Sequence, residues 1–285
     1  MLRRILLVVL FVLISASIGQ AAGPRINRLI VFGDSYSSVN TSKPFYKWST
    51  SLFYETKQAR ALLDRAVGGS TGGNYGSPTN DTFGAQVARF LPTTPPHSGD
   101  VTVVYFGYND MTRSVIQTTF PGMPKILGDY RAALSRLVAA GYASSGRKLL
   151  VVQPHDWSRV PRFTGPDARL APAVHRNILA WNEGVAAAAR SYASIVIVVD
   201  LFTAMECVFR QPRDFGFANV TDMRPRSASA ASYLYDVDDR YHVGGAGQKL
   251  IRNVMEYYLA NGAASKARLL SDMAAGRVFP GVSCR

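Results

Sequence analysis

The sequence predicts a doubly wound α/β domain whose mainly parallel sheet is flanked by helices. Three observations carry that prediction. Four short apolar runs rich in β-branched residues lack polar alternation, amphipathic helical segments separate them, and two of the runs end in glycine-led polar turns. Strands that are apolar throughout suit a parallel sheet covered on both faces, and strand–helix alternation supplies the crossovers such a sheet needs. No composition break or internal repeat divides the chain, so a single domain is expected.

The 285-residue chain opens with Met1-Leu2-Arg3-Arg4, an unbroken apolar run over 5–14 and a small-residue exit through Ala21. A basic start, an apolar centre and small residues before the cut describe a secretory signal peptide, expected over residues 1–21 with cleavage after Ala21. The run is too short for a membrane span, which needs roughly 20 apolar residues. Residues 22–285 are then expected to be the folded part, secreted and without stable membrane insertion. A monomer is expected.

The first strand is expected over 29–32, ending at Gly33, and the second over 101–106, ending at Gly107. Residues 149–152 and 195–199 supply two more. Between them, Tyr130, Leu134, Leu137 and Val138 share one helical face, stopped by Gly141. Val174, Ile178, Trp181, Val185, Ala188 and Tyr192 share another, and Leu250, Val254 and Tyr257 lie on a last long helix over about 245–260. Ligands of open α/β sheets bind at the carboxyl ends of the strands. Chemistry is therefore to be sought at Gly33-Asp34-Ser35 and Gly107-Tyr108-Asn109-Asp110.

The composition bounds the function without choosing it. An apolar content of 47% excludes a disordered chain, and a net charge of +13 favours an acidic polysaccharide, an anionic lipid or nucleic acid as a neighbour. Secretion, and the lack of a basic run interleaved with aromatics, argue against nucleic acid. Two cysteines are too few for a disulfide scaffold or a four-cysteine zinc site, but export permits a bridge between Cys207 and Cys284. Export also gives meaning to three sequons, at Asn40, Asn80 and Asn219.

Ser35 stands two residues beyond the first strand, at the mouth of the sheet. A serine becomes a nucleophile when a base takes its proton, and that base needs an orienting acid. Of the four histidines, His97 lies in a proline-rich loop, His155 follows Pro154, and His175 lies inside a helix. Only His242 has an acid at short fixed spacing in a turn, Asp239-Arg240-Tyr241-His242, where the carboxylate can accept from Nδ1 and leave Nε2 for the serine. The adjacent pair His155-Asp156 reads as a solvated loop pair with its side chains pointing apart. Asn109 and Asp110, taken alone, read as turn residues after a strand.

These blocks together resemble the SGNH, or GDSL, hydrolases: Gly33-Asp34-Ser35, a glycine turn, Gly107-Tyr108-Asn109-Asp110, and Asp239-x-x-His242, covering about residues 28–260. The resemblance implies a flavodoxin-like sheet and ester hydrolysis through an acyl-serine, with residues 22–285 as the hydrolase domain. Ser35 matches the family's nucleophile, His242 its base and Asp239 its supporting acid. The oxyanion donors it implies are the Ser35 N–H, the Gly69 N–H and the Asn109 side-chain amide, and no metal or organic cofactor. The second block departs from the family's usual pattern at Asp64 and Ser70, and Gly68, Gly72 and Gly73 leave its register open by about a residue. After His242, the run Val243-Gly244-Gly245 replaces the His-Pro of many relatives. Asp34 is expected to hold the Ser35 turn.

The opening Phe32-Gly33-Asp34-Ser35-Tyr36-Ser37 is similar to that of the secreted acetylesterases of carbohydrate esterase family sixteen. That similarity implies short acyl, acetyl, esters of carbohydrates as substrates. A lipid acylhydrolase, resembling the lysophospholipase and thermolabile-hemolysin branch, is the alternative, and a non-catalytic glycan-binding protein on the same scaffold a remote one. Arg210, Arg213, Arg224 and Arg226 crowd an interrupted stretch over 203–232 just before Asp239, expected to be a solvated basic loop, with a loop that shapes the acyl or alcohol pocket as the alternative.

Overall fold

The computed structural model describes residues 26–39, 47–76, 81–118 and 120–285. The expected signal peptide and the sequon residues Asn40 and Asn80 lie outside the described residues. Five strands form one parallel sheet: β1 (Ile26–Gly33), β2 (Ala59–Asp64), β3 (Val101–Tyr105), β4 (Lys148–Gln153) and β5 (Val196–Asp200), in the order β2-β1-β3-β4-β5. The longer helices are α1 (Phe83–Phe90), α2 (Tyr108–Ile116), α3 (Met123–Ala139), α4 (Ala171–Arg190), α5 (Leu201–Arg210), α6 (Gly245–Asn261) and α7 (Lys266–Ala274). The helices α1, α3 and α4 pack in one contiguous group; α5 touches α6 and α7 in another. This is the doubly wound arrangement expected from the sequence.

The central strands follow from their composition. Leu29, Ile30, Val31 and Phe32 of β1 and Leu149, Leu150 and Val151 of β4 are fully buried, as apolar runs in a covered parallel sheet should be. The edges depart from expectation. β5 is covered only in part, with Ile197 and Val198 half-buried, and β2 was not foreseen as a strand at all. Its residues Ala59-Arg60-Ala61-Leu62-Leu63-Asp64 contain no β-branched side chain, and only pairing along β1, from Ile26↔Ala59 to Val31↔Asp64, makes them extended.

Two further differences lie near the C-terminus. The stretch 203–232 is not wholly a loop: its first residues belong to α5, where Asp200 caps the helix by accepting from the Thr203 N–H at 2.8 Å, and Leu201, Met205 and Val208 are buried. Irregular chain begins only at Gln211. The helix α6 is followed by α7, pinned where the Tyr257 hydroxyl donates to Asp272 at 2.5 Å. Cys207 on α5 is bonded to Cys284, with the Cα atoms 5.7 Å apart and a separation of 77 positions in sequence. A loop of that size corresponds to a stabilisation of about 4 kcal/mol in the chain-entropy account.

The strand order reverses between β1 and β3, the two neighbours that lead outward in opposite directions. That crevice is the topological switch point of the sheet. Ser35 leaves the end of β1 and Asn109 leaves the end of β3, so the two candidate blocks meet at it.

Candidate active site

The turn after β1 is held from within. The Asp34 carbonyl accepts from the N–H groups of Ser37 and Ser38 at 3.1 and 2.9 Å, and its carboxylate Oδ1 accepts from the Tyr36 N–H at 2.9 Å. The Lys47 ammonium, itself buried, donates to the Ser35 carbonyl at 2.5 Å. These bonds fix the peptide on either side of Ser35 and leave its hydroxyl to face outward.

That hydroxyl lies 2.6 Å from His242 Nε2, and His242 Nδ1 lies 2.8 Å from Asp239 Oδ2. The three-residue spacing between acid and base does two jobs. While Oδ2 takes the imidazole, Oδ1 accepts from the N–H groups of Tyr241 at 2.8 Å and His242 at 2.9 Å, closing the turn on itself. With Nδ1–H donated to the carboxylate, Nε2 is the free lone pair that faces the serine proton. The Tyr36 ring lies beside the imidazole, 5.3 Å between centroids, and its hydroxyl donates to the Tyr241 carbonyl at 2.7 Å.

The second wall comes from the exit of β3. Gly107 precedes α2 with φ +134°, and a Cβ there would lie 2.6 Å from Trp181 Nε1, so only glycine fits. Asn109, in the first turn of α2, donates one amide N–H to the Ser70 carbonyl at 2.9 Å. A side-chain amide carries two such hydrogens. The loop it grips contains a tight turn, Val67-Gly68-Gly69-Ser70, in which the Ser70 N–H donates to Val67 at 3.1 Å and Gly69 takes φ +81°. A positive φ at the third position is what a type II turn demands. The turn bond uses the Ser70 N–H and leaves those of Gly68 and Gly69 out of it. Gly68 abuts the nucleophile, since a Cβ on it would lie 3.9 Å from Ser35 Cβ.

Asp110 is more than a turn residue. Fully buried, it accepts from the Gly72 N–H at 2.8 Å, the Gly73 N–H at 3.3 Å and the Tyr75 hydroxyl at 3.1 Å, tying the glycine loop to the end of β3. Burial raises its pKa to about 6 despite those donors. The Asp34 carboxyl is also fully buried, and burial pushes it up to about 7, against the pull of the Tyr36 N–H and His242.

Asp34 therefore carries a pH signature. In the open chain its carboxyl loses its proton near its ordinary value of 3.8, whereas in the fold it holds the proton to about 7. Between those values the folded state binds the extra proton, so stability falls as pH rises through the window and levels off above it. Asp34→Asn should flatten that slope, read from urea unfolding midpoints between pH 4 and pH 7. Parallel slopes for the two proteins would contradict it.

The pair His155-Asp156 departs from expectation. The two side chains do point apart, but both are buried rather than solvated. His155 Nδ1 shares a hydrogen bond of 2.5 Å with the Tyr108 hydroxyl, which shares another of 2.6 Å with Tyr105, and burial lowers the imidazole's pKa to about 4, so it stays neutral. Asp156 turns the other way, accepting from the Ser158 N–H at 3.0 Å and contacting His175 Nδ1 at 2.8 Å. The strand end fixes this: residues that close a buried sheet are covered by the helices beside it. Of the arginines, Arg224 faces Asp236 at 3.5 Å and Arg226 pairs with Asp238.

Ser35, Tyr108, Asn109, Thr112, Trp157, Tyr241 and His242 line one cavity of about 190 Å³. The structure thus brings together Ser35, His242, Asp239, Asn109 and the Gly68–Gly69 turn. Lys47, Tyr36, Thr112 and Trp157 were missed by sequence reasoning. Trp157 alone left a signal, as an aromatic four residues beyond β4 at the carboxyl end of the sheet. Among the described residues no group of three or more His, Cys, Asp or Glu is placed to hold a metal ion, and no helix is long and apolar enough to cross a membrane.

Several solved structures share the fold. An α/β hydrolase from the metagenome of Lake Arreo, Spain, superposes with a TM-score of 0.53 at 15% identity, covering 86% of this chain and 99% of its own. An acetyl xylan esterase from Geobacillus stearothermophilus, as a single-site variant, gives 0.52 at 15% identity, with 86% and 99% covered. A protein from Parabacteroides merdae described as a GDSL-like lipase gives 0.54 at 12% identity, with 82% and 96% covered. Comparison with curated proteins finds no match. The sequence profile of one family matches residues 31–250, a span that includes Ser35, Asn109, Asp239 and His242. The chain belongs to the GDSL-like lipase/acylhydrolase family, a family of carboxylic ester hydrolases.

Proposed function

We propose that this protein is a secreted serine esterase that removes short acyl groups, acetyl above all, from carbohydrates. The observation that carries the serine chemistry is the Ser35–His242–Asp239 relay, with hydrogen-bond distances of 2.6 and 2.8 Å. Ser35 Oγ attacks the ester carbonyl carbon as its proton passes to His242 Nε2. The carbonyl oxygen becomes an oxyanion, received by the N–H groups of Ser35 and Gly69 and the remaining amide hydrogen of Asn109. Collapse breaks the bond to the alcohol oxygen, which leaves with the proton from His242. Water then loses a proton to the same nitrogen, attacks the acyl-serine and releases the carboxylic acid. Asp239 keeps the tautomer correct throughout and holds no proton itself.

The short acyl group is supported by the size of the cavity. At about 190 Å³ it is smaller than the roughly 300–1,000 Å³ usual for small-molecule sites. The carbohydrate is supported by the similarity of the opening block and by the xylan esterase among the fold's neighbours. The net charge, +13 over the full sequence and +11 once residues 1–21 with Arg3 and Arg4 are removed, favours a lipid surface equally, which keeps the lipid acylhydrolase as the second reading. Secretion rests on the residue pattern over 1–21. Asn219, the one sequon asparagine described, donates from its amide to Asp222 at 2.6 Å, so attachment of a glycan there would take one of the two amide hydrogens and leave one for that bond.

A series of p-nitrophenyl esters from acetate to palmitate tests the reading. The expected result is a maximum of kcat/KM at acetate, followed by release of acetate from acetylated xylan. A maximum at eight carbons or more moves the substrate to lipids, and silence on every ester from folded protein returns the glycan-binding alternative.

A further inference from the structure

The cavity at Ser35 is lined by Ser35, Asn109 and His242 and, beside them, by Tyr108, Thr112, Trp157 and Tyr241. Three of those four neighbours are rings, which suit a methyl group and offer a hydroxyl-rich sugar little. Among these rings Trp157 is the most constrained. It is 3% exposed, and its Nε1 donates to Thr112 Oγ1 at 2.8 Å. It stacks on Tyr108 at 4.3 Å between centroids, lies within 14° of parallel to Tyr241 at 5.9 Å, and meets Tyr36 edge-on at 5.9 Å.

We propose that Trp157 sets the acyl-chain length this enzyme accepts, its indole closing the end of the cavity where the acyl group lies. Its neighbours are engaged elsewhere: the Tyr108 hydroxyl is tied into the buried chain with Tyr105 and His155, and the Tyr241 hydroxyl accepts from Arg162. Trp157 lies between them and touches both. Held on three sides by rings and at its nitrogen by Thr112, the indole cannot swing aside for a longer chain, because packed interiors yield little. The inference rests on the short-acyl reading above and names the group that enforces it.

Trp157→Phe and Trp157→Leu, compared with wild type on p-nitrophenyl acetate, butyrate and octanoate, test it. The octanoate-to-acetate ratio of kcat/KM is expected to rise at least about tenfold in Trp157→Leu, since a single methylene can change such ratios by about ten- to 200-fold. Trp157→Phe should show a smaller rise in the same direction. It decides alone if the leucine variant does not fold by circular dichroism. A wild type that prefers acetate, with the same ratio in both folded variants, overturns the proposal. A wild type that prefers octanoate overturns the short-acyl reading itself, and the proposal with it.

Discussion

Ser35→Ala should reduce ester hydrolysis by about 10⁶-fold, to the level left by binding and the oxyanion donors alone, while the protein stays folded. The size of the loss follows from the geometry. His242 and Asp239 are arranged around one hydroxyl at 2.6 Å, and without it the imidazole has no proton to take and the acyl group no atom to join. The fold should survive because the Ser35 turn is held by Asp34, Tyr36, Ser37, Ser38 and Lys47 through bonds that do not involve the Ser35 hydroxyl. Circular dichroism and thermal unfolding should superpose on wild type while p-nitrophenyl acetate turnover disappears. Retained turnover would place the nucleophile elsewhere.

Asn109→Ala should lower kcat by about 10²–10³-fold and change KM much less. The amide is placed where charge develops only as the carbonyl oxygen becomes an oxyanion, so its removal costs the transition state and spares the bound substrate. A secondary loss is built into the site, because the same amide holds the Ser70 carbonyl at 2.9 Å and with it the turn carrying Gly68 and Gly69. Steady-state kinetics decide the matter: an equal rise in KM with kcat unchanged would make Asn109 a binding residue instead.

The parts of this molecule that were legible in its sequence are those whose physics is local. The central strands are buried on both faces and read as unbroken apolar runs. The Asp239–His242 turn closes on itself, the Asp239 carboxylate accepting from the Tyr241 and His242 N–H groups, so its spacing betrays it, and the Gly107 turn is marked by the one residue that can adopt φ +134°. The edge strand β2 was not legible, because pairing with β1 rather than its own composition makes Ala59-Arg60-Ala61-Leu62-Leu63-Asp64 extended. His155 and Asp156 misled for a related reason: nothing adjacent in sequence tells that Tyr108 and His175 will arrive to receive them. Lys47, 12 residues beyond Ser35, and Trp157, 45 beyond Thr112, reach the site from separate segments, and only the closed fold sets an ammonium on the Ser35 carbonyl or an indole against Thr112. The register of the glycine turn was not legible for the same reason, since only the closed fold sets Gly68 beside Ser35 Cβ.

The most direct test of the acyl-serine account is to treat the protein with a fluorophosphonate that reacts only with an activated serine, then map the adduct by peptide mass spectrometry. The account predicts a single stoichiometric adduct on Ser35, abolished by His242→Ala and accompanied by complete loss of esterase activity. Full activity after treatment, or an adduct on a serine other than Ser35, would contradict it.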